Sequence, residues 1–281
     1  MLFLVQTYGE STKFAIPRLT FLPSRTMNFP KIAIIGTGNV AWHLARMFDS
    51  TGNQASYVYS RNTDTAVEFA NNFNLSIIPS LDQIPNDCDI CFLAVKDDVI
   101  SSLSQEIKTS ALVVHTSGST SLEALVNERK GVVWTIQSLR KGIDSEYHTI
   151  PLLIECNNEA DRALLGAIFS KISASIFYKN SEERLQAHTA AVITNNFSNH
   201  LYSIASKLLD EVGLPFELML PLIEEETRKI KHNSPSEIQT GPAIIRDENT
   251  IAKQQELLSK NPQWQALYKI MTKLIQENKN D

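Results

Sequence analysis

The chain has 281 residues, 43% hydrophobic and 20% charged, a composition that can bury a core and that excludes a disordered tail. This length fits one large domain or two modest ones. The formal net charge of −5 argues against a nucleic-acid partner, because phosphate binding needs clustered positive charge. No apolar run approaches the ~18 residues of a membrane span, so we expect no membrane partner. The three cysteines are a sparse, odd set, which argues against a secreted disulfide scaffold and predicts a reducing, cytoplasmic location.

Residues 1–27 differ from the rest of the chain. Their apolar start has no basic residue before it and is soon followed by Glu10, so it makes a poor signal peptide. Met27 stands just ahead of the first predicted strand. We therefore predict that residues 1–27 are a loosely packed extension, or that the native chain begins at Met27.

The segment 28–180 alternates short β-rich runs with helical spacing, as in Val40–Asp49 and Thr65–Phe73. Such alternation predicts an α/β fold, a Rossmann-type doubly wound and mostly parallel sheet with helices on both faces. The predicted strands are Lys31–Ile35, Ala55–Tyr59, Ser76–Ile78, Asp89–Ala94, Leu112–His115, Val132–Thr135, Leu152–Glu155 and Ala174–Tyr178.

The segment 181–281 has no strand signal and predicts an all-helical C-terminal domain. Gly213 and Pro215 end its first long helix, and Pro221 marks either a kink or a late start of the second. The predicted helices are Glu182–Leu209, Phe216–Lys231, Asn249–Ser259 and Pro262–Glu277.

A glycine-rich turn joins the first strand to the first helix. The run Gly36-Thr37-Gly38-Asn39-Val40-Ala41 matches G-x-G-x-x-A in a strand–turn–helix context, where the glycines allow a tight turn and close approach of a pyrophosphate. The free N–H groups of the helix N-terminus favour phosphate. The turn predicts a dinucleotide site, and the alternative is a Rossmann fold that no longer binds a cofactor.

The end of the second strand indicates which dinucleotide would bind. Sites that prefer NAD usually have Asp or Glu there, whereas this chain has Ser60 and Arg61. Because Arg61 can pair with a 2′-phosphate, we predict NADP(H). The alternative for Arg61 is an ordinary solvated surface arginine.

Further candidates follow other strands. The predicted cofactor site includes Ala94, Val95 and Lys96 after one strand and Ser117 and Gly118 after the next. For the second loop the alternative is a helix cap, because Thr120 to Glu123 fits a capping box. Gln137 is a weaker substrate candidate in the same kind of position.

Cys88 and Cys91 resemble C-x-x-C by spacing only. Three residues apart on a strand, they would face opposite ways, which favours core cysteines.

The helical segment offers a candidate general acid. In a continuous α-helix, Asn195 and Asn199 lie within about 20° of His188 and Asn196 about 80° away. His188 could therefore donate a proton to a carbonyl or imine, oriented by an asparagine, or be structural.

Thr240 and Arg246 lie beside a Gly-Pro turn, where Arg246 could hold an anionic substrate or pair with neighbouring acids. Asp247 could cap the next helix.

With these motifs assembled, the chain resembles a family of Rossmann-like proteins labelled NADP oxidoreductases, which carry a C-terminal helical domain of uncharacterised role. The family sits in the 6-phosphogluconate-dehydrogenase-like superfamily, with pyrroline-5-carboxylate reductase and deazaflavin-dependent NADP reductases. The resemblance rests on residues 36–45, 115–118, 188–192 with Asn196, and 240–242 with Arg246. It implies an NADP-binding domain and a homodimer through the helical domain. Related hydroxyacid dehydrogenases use a helix lysine, which is absent here.

We therefore predict an NADP(H)-dependent oxidoreductase for a small carbonyl, imine or hydroxy substrate bound between the domains. Residues 28–180 would hold the cofactor, and 181–281 would supply substrate and dimer contacts. The predicted catalytic residues are His188, Asn196 and Ser117, and no metal site is predicted. The alternative is a non-catalytic NADP(H)-binding sensor or scaffold, and reduction of a deazaflavin is a third possibility.

Overall fold

The computed structural model describes residues 29–277, so the predictions for residues 1–27 lie outside the described part of the chain. The chain divides into two compact units between Ser181 and Glu182. The first unit contains all the described strands, and the second is built from helices. Within residues 29–277, no helix is both long and apolar enough to cross a membrane.

One eight-stranded sheet organises the first unit, in the order β3-β2-β1-β4-β5-β6-β7-β8. Its strands are β1 (Ile32–Ile35), β2 (Tyr57–Tyr59), β3 (Ser76–Ile77), β4 (Ile90–Leu93), β5 (Leu112–His115), β6 (Lys130–Thr135), β7 (Leu152–Cys156) and β8 (Ile176–Tyr178). Strands β1 to β6 run parallel, which confirms the Rossmann-type prediction. The β6–β7 pair is antiparallel, so the last two strands run against the others.

Four helices cover the sheet, α1 (Asn39–Asp49), α2 (Thr63–Phe73), α3 (Ile100–Glu106) and α4 (Glu159–Phe169). Successive residues of β1 point to opposite faces, and all four are buried. Ile32 and Ile34 pack in one hydrophobic core with residues of α1 and α4, while Ala33 and Ile35 pack in a second core with residues of α3. A strand buried on both faces reads as a continuous apolar run, which is why β1 was recognisable in the sequence.

The two cysteines before and within β4 correct one expectation. Cys88 and Cys91 are both buried in the core, as predicted. They do not face opposite ways, because Cys88 precedes the strand and its Sγ lies 3.6 Å from that of Cys91. The strand alternation rule therefore did not apply to this pair.

The second unit contains α5 (Ser181–Ala191), α6 (Ser198–Asp210), α7 (Leu220–Ile230), α8 (Pro242–Ile245), α9 (Glu248–Leu257) and α10 (Pro262–Glu277). A π-helical segment, Val192–Phe197, joins α5 to α6 without a break. Pro221 stands at the first turn of α7, so it marks a late start and not a kink. Asp247 caps α9, with its carboxylate accepting from the Thr250 N–H at 3.1 Å.

An ion pair with a buried carboxylate fixes α4 to the segment ahead of β6. The Arg129 guanidinium binds the carboxylate of Asp161, whose side chain is only 3% exposed, and Asn158 donates to the same carboxylate. Burial alone would raise the pKa of Asp161, but the hydrogen bonds from Arg129 and Asn158 outweigh it and lower that pKa. The ionised carboxylate therefore stabilises the fold at neutral pH.

We expect Asp161→Asn to lower the free energy of unfolding by about 2–3 kcal/mol at pH 7, because it leaves Arg129 without its charged partner. A lowered native pKa contributes stability above the ordinary value of about 3.9 and loses it as the pH falls through the native value. Urea unfolding at several pH values should show the gap to wild type narrowing below about pH 4.

The matched control is Glu159→Gln on the same helix, where the carboxylate is 74% exposed and pairs with Arg162. Exposed pairs contribute little, so we expect a change of about 0.5 kcal/mol or less. A gap for Asp161→Asn that stayed constant down to pH 2 would contradict the assignment.

Candidate functional site

A cavity of about 660 Å³ opens at the carboxyl ends of β1, β2 and β4. Its size is in the range of small-molecule sites, and carboxyl ends of parallel strands are where such sheets bind ligands. Ten of the predicted cofactor residues line it together: Gly36, Thr37, Gly38, Asn39, Val40, Ser60, Arg61, Ala94, Val95 and Lys96.

The two glycines of the turn have different constraints. Gly36 has φ +115°, and a Cβ there would lie 2.3 Å from the carbonyl oxygen of Ala94, so no larger residue fits. A Cβ at Gly38 would meet no protein atom within 4 Å. Because Gly38 also lines the cavity, the open space beside it suits a ligand that approaches the backbone closely.

The N-terminus of α1 faces the same cavity and favours an anion. Gly38 is its N-cap, no side chain caps it, and its first turn has no acidic residue. The first N–H groups of an α-helix lack partners within the helix and carry partial positive charge. The turn therefore fits the diphosphate of a dinucleotide.

Hydroxyl groups join the turn to the end of β2. Thr65 Oγ1 lies 3.1 Å from both Thr37 Oγ1 and Ser60 Oγ, and its N–H donates to Asn62, the N-cap of α2. Arg61 is exposed at the cavity edge and makes no hydrogen bond or ion pair with any described residue. A cation and several hydroxyls around one opening fit a phosphate group.

The cavity lining includes residues that were not predicted from the sequence. Asn62, Thr65, Val99 and Leu103 also line the cavity. Asn62 and Thr65 form an N-cap pattern that could have drawn attention to them. Val99 and Leu103 supply an apolar wall, and their spacing is that of any core-facing helix.

Ser117 and Gly118 lie outside that lining, after β5. Ser117 Oγ donates to Asp97 Oδ2 at 2.7 Å and accepts from the Thr120 N–H at 2.9 Å. The Ser117 N–H donates to Nδ1 of the buried His115. The capping alternative was right about a cap and wrong about its residue, because Ser121 caps the short 3₁₀ turn Leu122–Ala124. A substrate contact by Ser117 stays a prediction.

Gln137 begins an exposed segment that one face of α1 holds in place. His43 is buried in α1; its Nε2 donates to the Arg140 carbonyl at 3.0 Å and its Nδ1 accepts from the Tyr147 hydroxyl at 2.9 Å. Burial lowers the pKa of His43, which keeps the ring neutral. Two further contacts join α1 to the segment, Asn39 Oδ1 with the Lys141 N–H at 3.0 Å and Arg46 with Asp144 at 3.1 Å.

In the second unit, the π-helical segment changes the predicted alignment of His188. A π turn adds a residue to the helix and rotates all later residues back by about 100°. Asn196 lies near the end of this segment and Asn199 beyond it, so their angles to His188 differ from those of a continuous α-helix, and Asn196 turns towards the side of His188. The expectation of one continuous α-helix through this stretch is therefore wrong. His188 is half-buried and Asn196 is exposed.

Thr240 lies just ahead of α8 and Arg246 is its C-cap, and both residues are exposed. The backbone φ is positive at both ends of α8, +100° at its N-cap Gly241 and +56° at its C-cap Arg246. Arg246 makes no ion pair with any residue from 29 to 277. Its neighbour Asp247 serves as a helix cap, so the predicted anion contact of Arg246 stays open.

Comparisons with known proteins agree with this arrangement. Residues 31–117 match the family model described as NADP oxidoreductase coenzyme F420-dependent, and residues 150–275 match a domain of unknown function, DUF2520. A search of curated proteins gives no match.

Solved structures add a relative over the whole described chain. A Bacteroides fragilis protein assigned as an NADP oxidoreductase is 34% identical, with a TM-score of 0.80 over 88% of this chain and 98% of that one. An imine reductase from Myxococcus stipitatus, solved with NADP⁺, is 14% identical, with a TM-score of 0.64 over 88% and 93%. A pyrroline-5-carboxylate reductase from Streptococcus pyogenes is 13% identical, with a TM-score of 0.60 over 88% and 98%. The last two show a shared fold. Together with the glycine-turn cavity, the 34% identical relative shows that this chain belongs to the NADP oxidoreductase family with a C-terminal domain of unknown function.

Proposed function

We propose that this family member transfers a hydride between NADP(H) and a small carbonyl, imine or hydroxy compound. The observation that carries the proposal is the cavity at the glycine turn, which has Arg61 and Ser60 where NAD-preferring sites have a carboxylate. NADPH would supply the hydride, and the residues of the chain would bind, orient and protonate.

Each part of the cavity has a proposed role. The α1 N-terminus and the Gly36–Val40 turn would hold the diphosphate, while Ser60 and Arg61 would hold the 2′-phosphate. Val99 and Leu103 would pack against the adenine, because they contribute apolar side chains to the lining.

His188 and Asn196 are the proposed proton donor and its partner. The π-helical segment favours this pair, because π turns are rare and occur frequently at functional sites. A histidine can donate a proton to the oxygen or nitrogen that accepts it as the hydride is transferred. Thr240, Arg246 and Gln137 are proposed substrate contacts.

Arg61→Ala should weaken NADPH binding by about 10- to 100-fold, because hydrogen bonds to charged groups contribute about 1.5–3 kcal/mol. NADH lacks the 2′-phosphate, so its affinity should change by less than about twofold. Isothermal titration calorimetry with each cofactor measures both. Arg140→Ala is the control, since Arg140 is exposed and does not line the cavity. Equal losses for NADPH and NADH would refute the role of Arg61.

His188→Ala should keep the affinity for NADPH and lower turnover by about 10²- to 10⁴-fold, the usual contribution of a general acid. The assay follows NADPH oxidation at 340 nm across aldehydes, ketones and cyclic imines. Asn196→Ala should also lower turnover, whereas Asn195→Ala serves as its matched control on the neighbouring position. Turnover unchanged by His188→Ala would remove this residue from the mechanism.

We also propose a homodimer through the helical unit. Neither α6 nor α7 has a buried residue; Phe197, just ahead of α6, is 59% exposed, and Leu222 on α7 is 66% exposed. Exposed apolar side chains concentrated in one unit are typical of an interface. A second copy of the chain is the proposed occupant of this surface.

Light scattering after size exclusion should give twice the 31.5 kDa chain mass. Leu222→Glu should shift the protein towards monomer, because it places a charge in the proposed interface. Val126→Glu is the control, since Val126 is comparably exposed at 60% but lies in the first unit. A wild-type protein that stays monomeric at micromolar concentration would exclude this proposal.

A second candidate function is reduction of a deazaflavin. The family model matched by residues 31–117 carries coenzyme F420 in its description, which favours including this cofactor among the substrates assayed. Loss of deazaflavin absorbance on NADPH addition would distinguish it from carbonyl or imine reduction.

A further inference from the structure

The loops after β4 and β5 are joined by a network centred on one carboxylate. Asp97 Oδ2 accepts hydrogen bonds from Ser117 Oγ and Ser119 Oγ, both at 2.7 Å. Ser117 Oγ in turn accepts from the N–H groups of Ser119 and Thr120. The carboxylate is thus held by two donors from the neighbouring loop, and its orientation is fixed.

The second oxygen of the same carboxylate accepts no hydrogen bond from the described residues. Oδ1 of Asp97 makes no hydrogen bond or ion pair within residues 29–277, and the side chain is exposed. An ionised carboxylate has about four acceptor sites, so this side chain keeps an oxygen free to accept from a ligand. A fixed carboxylate with one available oxygen is a pre-oriented acceptor.

The position of Asp97 indicates which ligand group it would meet. The cavity runs from Arg61 after β2, past the turn after β1, to Lys96 after β4. Asp97 is the next residue, and Ser117 follows β5, the next strand across the sheet. A dinucleotide with its 2′-phosphate at Arg61 and its diphosphate at the turn would extend its other half towards β4 and β5.

We propose that Asp97 accepts a hydrogen bond from the nicotinamide–ribose half of the bound cofactor, with Ser117 and Ser119 as the residues that position it. Both the ribose hydroxyls and the carboxamide of that half carry hydrogen-bond donors. Asp97 would therefore contribute to cofactor affinity without touching the adenosine half. This inference rests on the proposed NADP(H) function.

Adenosine 2′,5′-bisphosphate provides the internal control, because it carries the adenosine and 2′-phosphate of NADPH but no nicotinamide. Asp97→Ala should weaken NADPH binding by about tenfold and leave binding of the bisphosphate within about twofold, since hydrogen bonds to charged groups contribute about 1.5–3 kcal/mol. Titration calorimetry with both ligands measures the two affinities without requiring a substrate.

Two further variants separate binding from loop structure. Asp98→Ala removes the adjacent exposed carboxylate, which makes no side-chain hydrogen bond with any described residue, and should change neither affinity. Asp97→Asn keeps the shape and one oxygen acceptor, so it should cost NADPH binding less than Asp97→Ala does. If the alanine variant fails to fold, the asparagine variant must still weaken NADPH alone.

The outcomes are distinct. NADPH affinity unchanged by Asp97→Ala would overturn the inference, and so would equal losses for NADPH and the bisphosphate, which would indicate a general disturbance of the loops. A wild-type protein that binds the bisphosphate but gains nothing from the nicotinamide half would also overturn it, while leaving the cofactor proposal intact. Failure of the wild type to bind either ligand would overturn both.

Discussion

The site depends on the close approach of two backbone segments, the turn after β1 and the end of β4. No side chain fits at Gly36, because its Cβ would lie 2.3 Å from the Ala94 carbonyl oxygen. This contact lets β1 and β4 stay paired up to the point where the chain turns into α1. The N-terminus of α1 therefore lies at the carboxyl ends of the parallel strands, beside the loops that follow β2 and β4. The cavity lies between these segments.

Short polar side chains connect the loops that follow the parallel strands. Thr37, Ser60 and Thr65 link the turn to the end of β2, while Ser117 and Ser119 link the loops after β4 and β5. Hydroxyl groups suit this role because each can donate and accept at once and loses little side-chain entropy. Within the described chain, Arg61 at the cavity and Oδ1 of Asp97, the residue after the lining residue Lys96, have no protein partner.

The parts of this protein that could be predicted from sequence are those encoded locally. The strands, the glycine turn and the cap at Asp247 each follow from neighbouring residues, and the structure places ten predicted cofactor residues around one cavity. The rest depends on contacts between distant residues. Asp97 belongs to a network with residues about twenty positions later, and the Cys88–Cys91 contact depends on where β4 begins. The π-helical segment has the spacing of an ordinary helix, so its rotation of Asn196 towards His188 leaves no local signal.

The face of α1 that holds the segment after β6 has a consequence for protein engineering. Asn39, His43 and Arg46 are spaced at one and nearly two helical turns, and each is committed to a partner in residues 140–147. Exchanging this segment with that of a relative would leave the buried, neutral imidazole of His43 without its partners, and would leave Asn39 Oδ1, beside the glycine turn, without the Lys141 N–H that donates to it. A transplanted loop would therefore also disturb α1, whose first residues line the cofactor cavity. A loop exchange will therefore need to include the facing residues of α1 together with residues 140–147.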